Sequence, residues 1–406
     1  MKFNKWTLGL AAVGVVSLTS AARADETNMV QTALSNTTIS GYVDASAQFN
    51  PGGGGSVNNS PNYNFGNHAN EISLNVVQVS LDKPLDEAPW ASGYHVDLWL
   101  GPDASALGTS TSGGDAALRQ AYIALRTPIG NGIDWKVGVF DTIIGYEGLT
   151  SGNNPNFTHS YGFNIEPTTH TGVLAVYHAT DWLTAQIGVA DQSYAAGAYS
   201  AAINGIGASN NRNGNGALST PTLMWGPTLT APESWGWAKG GTLSVGTINT
   251  SGSAGATSYY AGVTVPTPIA KLKFGGSFDY LNVRADANGP GTGGGNTWNV
   301  AGYSTYAFND KLSLNLRGEH LSGDSVLNGG AYFNTTAAGL ATGNSNNAAD
   351  EITATLQYNL WANVLTRVEI RWDHVEHGNG YASTSSTGVG TESEAWLIGA
   401  QAIYTF

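Results

Sequence analysis

Four residues near the end of the chain, Arg367, Glu369, Arg371 and Asp373, alternate in sign at a spacing of two. In an extended strand that spacing puts all four side chains on one face. Arg317 and Glu319, preceded by Ser313 and Asn315, repeat the arrangement earlier in the chain. A fixed row of opposite charges has two uses. It can brace neighbouring strands as a ladder of ion pairs, or it can set a transverse field that orders water and favours polar over apolar solutes. The residues alone leave both open.

Other constellations carry less. His374-Val375-Glu376-His377 has the residue types of a metal pair. Strand positions three apart point to opposite faces, however, and no matching ligand set is evident, so neither metal nor cofactor is expected. Ser160, His170 and Asp141 have the chemistry of an acyl-transfer triad. No nucleophile-elbow motif surrounds Ser160, and nothing local brings the three together, so a hydrolase is the weakest functional class. The glycine runs at 51–55 and 291–296 lack a following Lys-Ser/Thr and read as loop tips rather than phosphate cradles.

These charges need a wall to hold them, and the sequence describes one. From Ile39 to Phe49 one face reads Ile39, Gly41, Val43, Ala45, Ala47, Phe49, and the other Ser40, Tyr42, Asp44, Ser46, Gln48. Such a run matches the roughly 9–11 residues a tilted strand needs to cross a bilayer. From Val364 to Trp372 the row of Val364, Val368, Ile370 and Trp372 backs the charged row. Turning an arginine to lipid costs about 2–4 kcal/mol near the midplane, so the charges must line a watery interior. On that reading Arg371→Ile costs little and Ile370→Arg costs much. A soluble sandwich would instead hide its apolar face and expose its charges.

Sixteen such segments are expected, with fourteen or eighteen as alternatives; those at 217–226 and 258–265 are weakened by Pro221 and Gly262. A change of phase near Val76-Val77 suggests a bulge. Short turns at 127–132, 178–181, 266–270, 308–310 and 361–363 alternate with long polar stretches such as 50–70, 191–216, 284–296, 322–349 and 376–391. That rhythm belongs to an all-β, transmembrane antiparallel β-barrel. Trp135, Trp182, Trp361, Trp372, Trp396 and Tyr404 fall near strand ends, as interfacial girdles require.

Composition agrees. Charged residues make up 11% of the chain, against about 25% in a soluble domain. Glycine, at 54 of 406, is well above its usual share of about 7%. Lys2 and Lys5, the apolar run Leu8–Val16 and Ala22-Arg23-Ala24 read as a secretory signal at 1–24, followed by a short periplasmic segment at 25–38 and the barrel at 39–406. The signal holds three basic residues and no acid, so its loss takes the net charge from −13 to −16. That balance excludes nucleic acid as a partner. The absence of cysteine removes disulfides and thiolate chemistry.

The stretch from Arg119 to Gly172 resembles the OmpL-like β-barrel porin family. The likeness rests on Gln120-Ala121-Tyr122, Gly138 to Phe140, Gly145-Tyr146-Glu147, Asn154, Ser160-Tyr161 and Pro167 to Gly172. "ISGYVD" at 39–44 and "TRVEIRWD" at 366–373 are similar to that family's first and penultimate strands. The resemblance implies an outer-membrane channel and supplies no catalytic residues. The terminal Tyr404 and Phe406 resemble the C-terminal signal read by the barrel assembly machinery.

Between Asp141 and His170 the chain carries Ile143, Ile144, Tyr146, Leu149, Phe157, Tyr161, Phe163 and Ile165, too much apolar bulk for a loop in water. It is expected to fold into the lumen as a constriction, with Asp141, Tyr146, Glu147, Tyr161 and Glu166 at the narrowest point. Glu147 would then stand opposite Arg317, Arg367 and Arg371, giving a mild preference for cations or neutral solutes. The other reading is a cap over the mouth. Two function classes follow: a passive channel for small hydrophilic solutes, or a surface-binding or structural barrel with a plugged lumen. Outer-membrane lipid is a partner in either case, and a homotrimer is expected only by analogy with other porins.

Overall fold

The computed structural model describes residues 30–31, 36–51, 70–107, 114–191, 221–251, 255–284, 295–323, 347–376, 381–382 and 390–406. The expected signal at 1–24, most of the expected segment at 25–38, His377 and much of the long stretches lie outside the described residues.

Period-two alternation becomes sixteen long strands. The first eight are β1 (Thr38–Phe49), β2 (Glu71–Lys83), β3 (Ser92–Leu100), β4 (Ala116–Thr127), β5 (Ile133–Asp141), β6 (Thr169–Thr180), β7 (Leu183–Ala190) and β8 (Thr222–Thr230). The rest are β9 (Thr242–Thr250), β10 (Ala256–Pro266), β11 (Leu272–Val283), β12 (Gly295–Ala307), β13 (Leu312–Gly323), β14 (Asn347–Trp361), β15 (Val364–Val375) and β16 (Glu394–Thr405). Each pairs antiparallel with its neighbours in the chain, and β16 pairs with β1, with Ala402 opposite Ala45. The sheet therefore closes, which leaves no long edge unpaired. Upstream, Val30–Gln31 pairs with Ile39 and Thr38 of β1.

Two local irregularities shape the wall. Opposite β1, Asp44 faces Val76 and Ala45 faces Leu74, so Asn75 is the extra residue of a bulge at the expected place. Asn75 and Val76 both end up buried in consequence. The eighth strand is displaced from its expected position at 217–226: Pro221 precedes it and Pro227 lies inside it. Pro227 has no amide hydrogen. The ladder from β8 to β9 accordingly skips 226 and 227, while Pro227 still sits opposite Ala185 of β7.

The two faces divide as the alternation requires. Val368 is 58% exposed and Ile370 46%, whereas Arg367, Glu369, Arg371 and Asp373 on the same strand are at most 2% exposed. Trp182, Trp361 and Tyr404 stand exposed at the end bearing the short turns, and Trp396 at the other. Long and short connections alternate with two exceptions: 251–255 is brief on the long side, and 231–241 carries a 3₁₀ turn, Glu233–Ala238, on the short side.

Candidate functional site

The segment 142–168 joins β5 to β6 and lies against the inner wall of the opposite side of the barrel. It includes a 3₁₀ turn, Ser151–Asn153, and a short helix, α1 (Tyr161–Ile165). Ser160 starts α1, its Oγ accepting the Phe163 amide hydrogen at 3.0 Å. Ile143, Ile144, Tyr146, Leu149, Phe157, Tyr161 and Phe163 are all buried. Tyr146 stacks on Tyr303 with ring centroids 4.1 Å apart, directly over Gly275 of β11. Phe157 lies on Gly399 of β16, where a Cβ would come within 2.8 Å of its ring. These two strand glycines act as sockets, since a strand tolerates glycine best where another group must approach closely.

All six inward charges singled out from the sequence meet this segment. Arg317 donates to the Glu147 carboxylate at 2.8 Å, to the Thr158 carbonyl at 2.6 Å and to Glu351 at 3.0 Å. Arg371 donates to the His159 carbonyl at 2.6 Å and pairs with Asp373 at 2.8 Å, while its guanidinium lies 5.2 Å from the Tyr161 ring. Arg367 donates to the carbonyls of Ser151 and Asn154, and to Gln357 and Gln401. Glu369 accepts the amide hydrogens of Phe157 at 2.6 Å and Thr158 at 2.9 Å. Glu319 accepts that of Tyr161 at 2.8 Å, and Asp373 accepts the Tyr161 hydroxyl at 2.6 Å. Arginines thus take the carbonyls and carboxylates the amides of one short stretch. A loop with no ladder of its own needs such partners to leave water.

The other residues expected at the constriction are placed as follows. Glu147 touches Arg317 directly, and also accepts from the Ser160 amide at 2.8 Å and the Tyr303 hydroxyl at 3.2 Å. Its charge is therefore neutralised in contact, and no gap of water separates it from the arginine. Glu166 caps the C-terminal end of α1 and lies close to the carboxyl of Asp279. Burial, and then the Asp279 and Glu147 charges, push Glu166 well above the ordinary carboxylate range. Asp141, at the end of β5, is bound by Arg119 at 2.7 Å, apart from the main cluster. Burial holds His159 down at about 4, so its ring is neutral where it meets Asn154 and the Gly148 carbonyl.

The three residues of the acyl-transfer alternative have separate partners. Ser160 caps α1, His170 meets Thr142 at 3.2 Å, and Asp141 holds Arg119. Sequence reasoning passed over Arg119, which also binds Asp97 at 2.5 Å. A bulge explains the omission: Asp97 faces Gln120 and Leu98 faces Leu118, so Arg119 is the extra residue and turns inward beside Gln120. In the sequence Glu351 alternates with Ile352 and Ala354 as one polar strand position among several. Its place opposite Glu319 is a matter of register.

Solved structures share this architecture. The outer membrane channel DcaP of Acinetobacter baumannii matches with a TM-score of 0.60 and 14% identity, over 93% of this chain and 99% of its own. The anion-selective porin from Comamonas acidovorans matches with a TM-score of 0.57 and 9% identity, over 91% and 99%. OmpT of Vibrio cholerae, in its trimer form, matches with a TM-score of 0.53 and 12% identity, again over 91% and 99%. At these identities the likeness is one of fold. No curated protein matches the chain. The model of one family spans residues 36–406, from the first strand through the docked segment to the terminal Phe406, and the chain belongs to that family, described as "Putative beta-barrel porin-2, OmpL-like".

Proposed function

We propose that this protein is an outer-membrane porin through which small hydrophilic solutes diffuse passively, with the segment 142–168 setting the bore. The observation that carries this reading is the division of a closed sixteen-strand wall into apolar outward rows and inward rows of Arg, Glu, Asp, Thr and Asn. Barrels of this strand number enclose a cross-section wide enough for an aqueous channel. The docked segment takes up part of it, so a small conductance for the strand number is expected. Tyr146, Glu147, Tyr161 and Glu166, with Asp141 at the segment's root, would form the constriction. Around it Arg317 and Arg371 pair with the carboxylates of Glu147, Glu319, Glu351 and Asp373, while Arg367 and Glu369 bond the segment's backbone. The negative excess supports a mild preference for cations and neutral polar solutes. A homotrimer is supported by analogy, since the similar OmpT has a trimer form.

One observation favours the second reading, a plugged barrel that anchors or binds at the surface. Every residue from 154 to 164 is buried, which leaves the docked stretch little water of its own. Planar-bilayer recording of the purified protein separates the two. A porin gives discrete conductance steps, and deleting 148–158 enlarges them. A correctly folded barrel that stays silent until that deletion is a plugged one; silence in both forms rules out the channel.

A further inference from the structure

The outer surface carries a cluster that the pore does not use. His320 of β13, Asp350 of β14 and Glu376, which follows β15, come from three successive strands and converge at the end of the barrel that bears the long connections. The His320 Nδ1 lies 2.8 Å from Asp350 Oδ1 and 3.9 Å from Glu376 Oε1. The three ligand atoms all lie within 4.8 Å of one another. A zinc ion with bonds near 2.0–2.1 Å sets neighbouring tetrahedral ligands roughly 3.3 Å apart, so small side-chain rotations suffice to fit one. Two carboxylates share a single imidazole here, and among the described residues neither has any other ion-pair partner.

The surroundings point the same way. His374 stands opposite Asp350 on the same face, and its buried Nδ1 has no hydrogen-bond partner among the described residues. Opposite His374 in turn is Glu394. The Trp298 ring packs 5.3 Å from His320, and Trp372 stacks 5.6 Å from His374, which fixes both imidazoles beside the aromatic belt. Imidazole with carboxylate suits zinc, nickel or copper better than calcium or magnesium, which favour all-oxygen shells.

We propose that His320, Asp350 and Glu376 form a site for a divalent transition-metal ion, Zn²⁺ or its like, on the outward rim. An ion there joins three adjacent strands at the end bearing the long connections, with His374 at hand as a further ligand. The test uses folded, tag-free protein in detergent and titrates Co²⁺ as a spectroscopic probe, followed by displacement with Zn²⁺. One saturable Co²⁺ per chain is expected. His320→Ala and Glu376→Gln should each weaken it at least as much as loss of an outer-shell partner does, roughly tenfold or more. Heat-modifiable migration on a gel shows that each variant is folded, and Glu376→Gln, lying beyond the strand, keeps the test open should His320→Ala fold poorly. Absence of saturable Co²⁺ or Zn²⁺ binding, or binding untouched by these substitutions, overturns the proposal.

Discussion

Ile370 and Arg371 are adjacent in sequence and opposite in surroundings. Ile370 is 46% exposed on the outer face, and an arginine there costs about 2–4 kcal/mol. The sequence suggests that Arg371, turned toward water, is replaced cheaply, and the structure corrects this. Arg371 is 1% exposed, and Arg371→Ile would take the ion pair from Asp373 and the shorter of two donors from the His159 carbonyl, which keeps only Arg317 at 3.3 Å. Breaking a buried pair costs about 3–5 kcal/mol. Comparable losses are therefore expected for Ile370→Arg and Arg371→Ile when unfolding by denaturant is followed in detergent; a neutral Arg371→Ile would mean the network is solvated. Glu166 gives a prediction with a definite sign. Its raised affinity for a proton stabilises the docked segment at low pH, and that contribution fades as pH rises through the raised value. Asp279 and Glu147 face it with negative charge and add to the effect. Channel noise or conductance should rise as pH climbs above the ordinary carboxylate range. Glu166→Gln should flatten that rise; an unchanged profile would assign it to another group.

At the scale of the element, the segment 142–168 is held by two kinds of contact that fail differently. Its backbone is matched by charged side chains, and its aromatic rings rest on glycines. Gly399→Leu would fill the socket of Phe157 without touching any ladder hydrogen bond of Arg367 or Glu369. The expected result is a folded barrel, by heat-modifiable migration, with larger or noisier conductance steps. Steps identical to those of the unaltered protein would show that the Phe157 contact does not position the segment. The apolar bulk of this loop is legible in the sequence, because a loop in water cannot keep Ile143, Ile144, Tyr146, Phe157 and Phe163 exposed. Its partners are not, since the Phe157 and Thr158 amides reach Glu369 across more than half the chain.

At the scale of the whole molecule, closure is the decisive event, and the last residue takes part in it. The Phe406 amide donates to the Gly41 carbonyl at 3.0 Å, and the Gly41 amide donates back at 3.0 Å. Tyr404 lies opposite Val43 of β1 and Val364 of β15, with its ring exposed on the outer face. Deleting Phe406, or replacing both Tyr404 and Phe406 with polar residues, should lower the yield of assembled barrel in cells. Heat-modifiable migration of membrane fractions reports that yield, and an undiminished band would remove these residues from the assembly step.

The sequence by itself pointed to sixteen strands, with fourteen or eighteen open, to their inward and outward faces, and to a change of phase near Val76-Val77. These follow from a period of two and from the cost of charge in lipid, both local along the chain. The inward turn of Arg119 escaped it, because a one-residue shift in pairing leaves no mark in composition, and so did the start of β8 beyond Pro221. The role of the charged rows was likewise open between ladder and field. Tertiary structure gave them a third role, as the surface on which a loop unloads its backbone hydrogen bonds. It also brought Glu376 to His320 and Asp350 rather than to a neighbour in its own strand. Such meetings depend on which strands lie side by side once the barrel closes, and closure is a property of the whole chain.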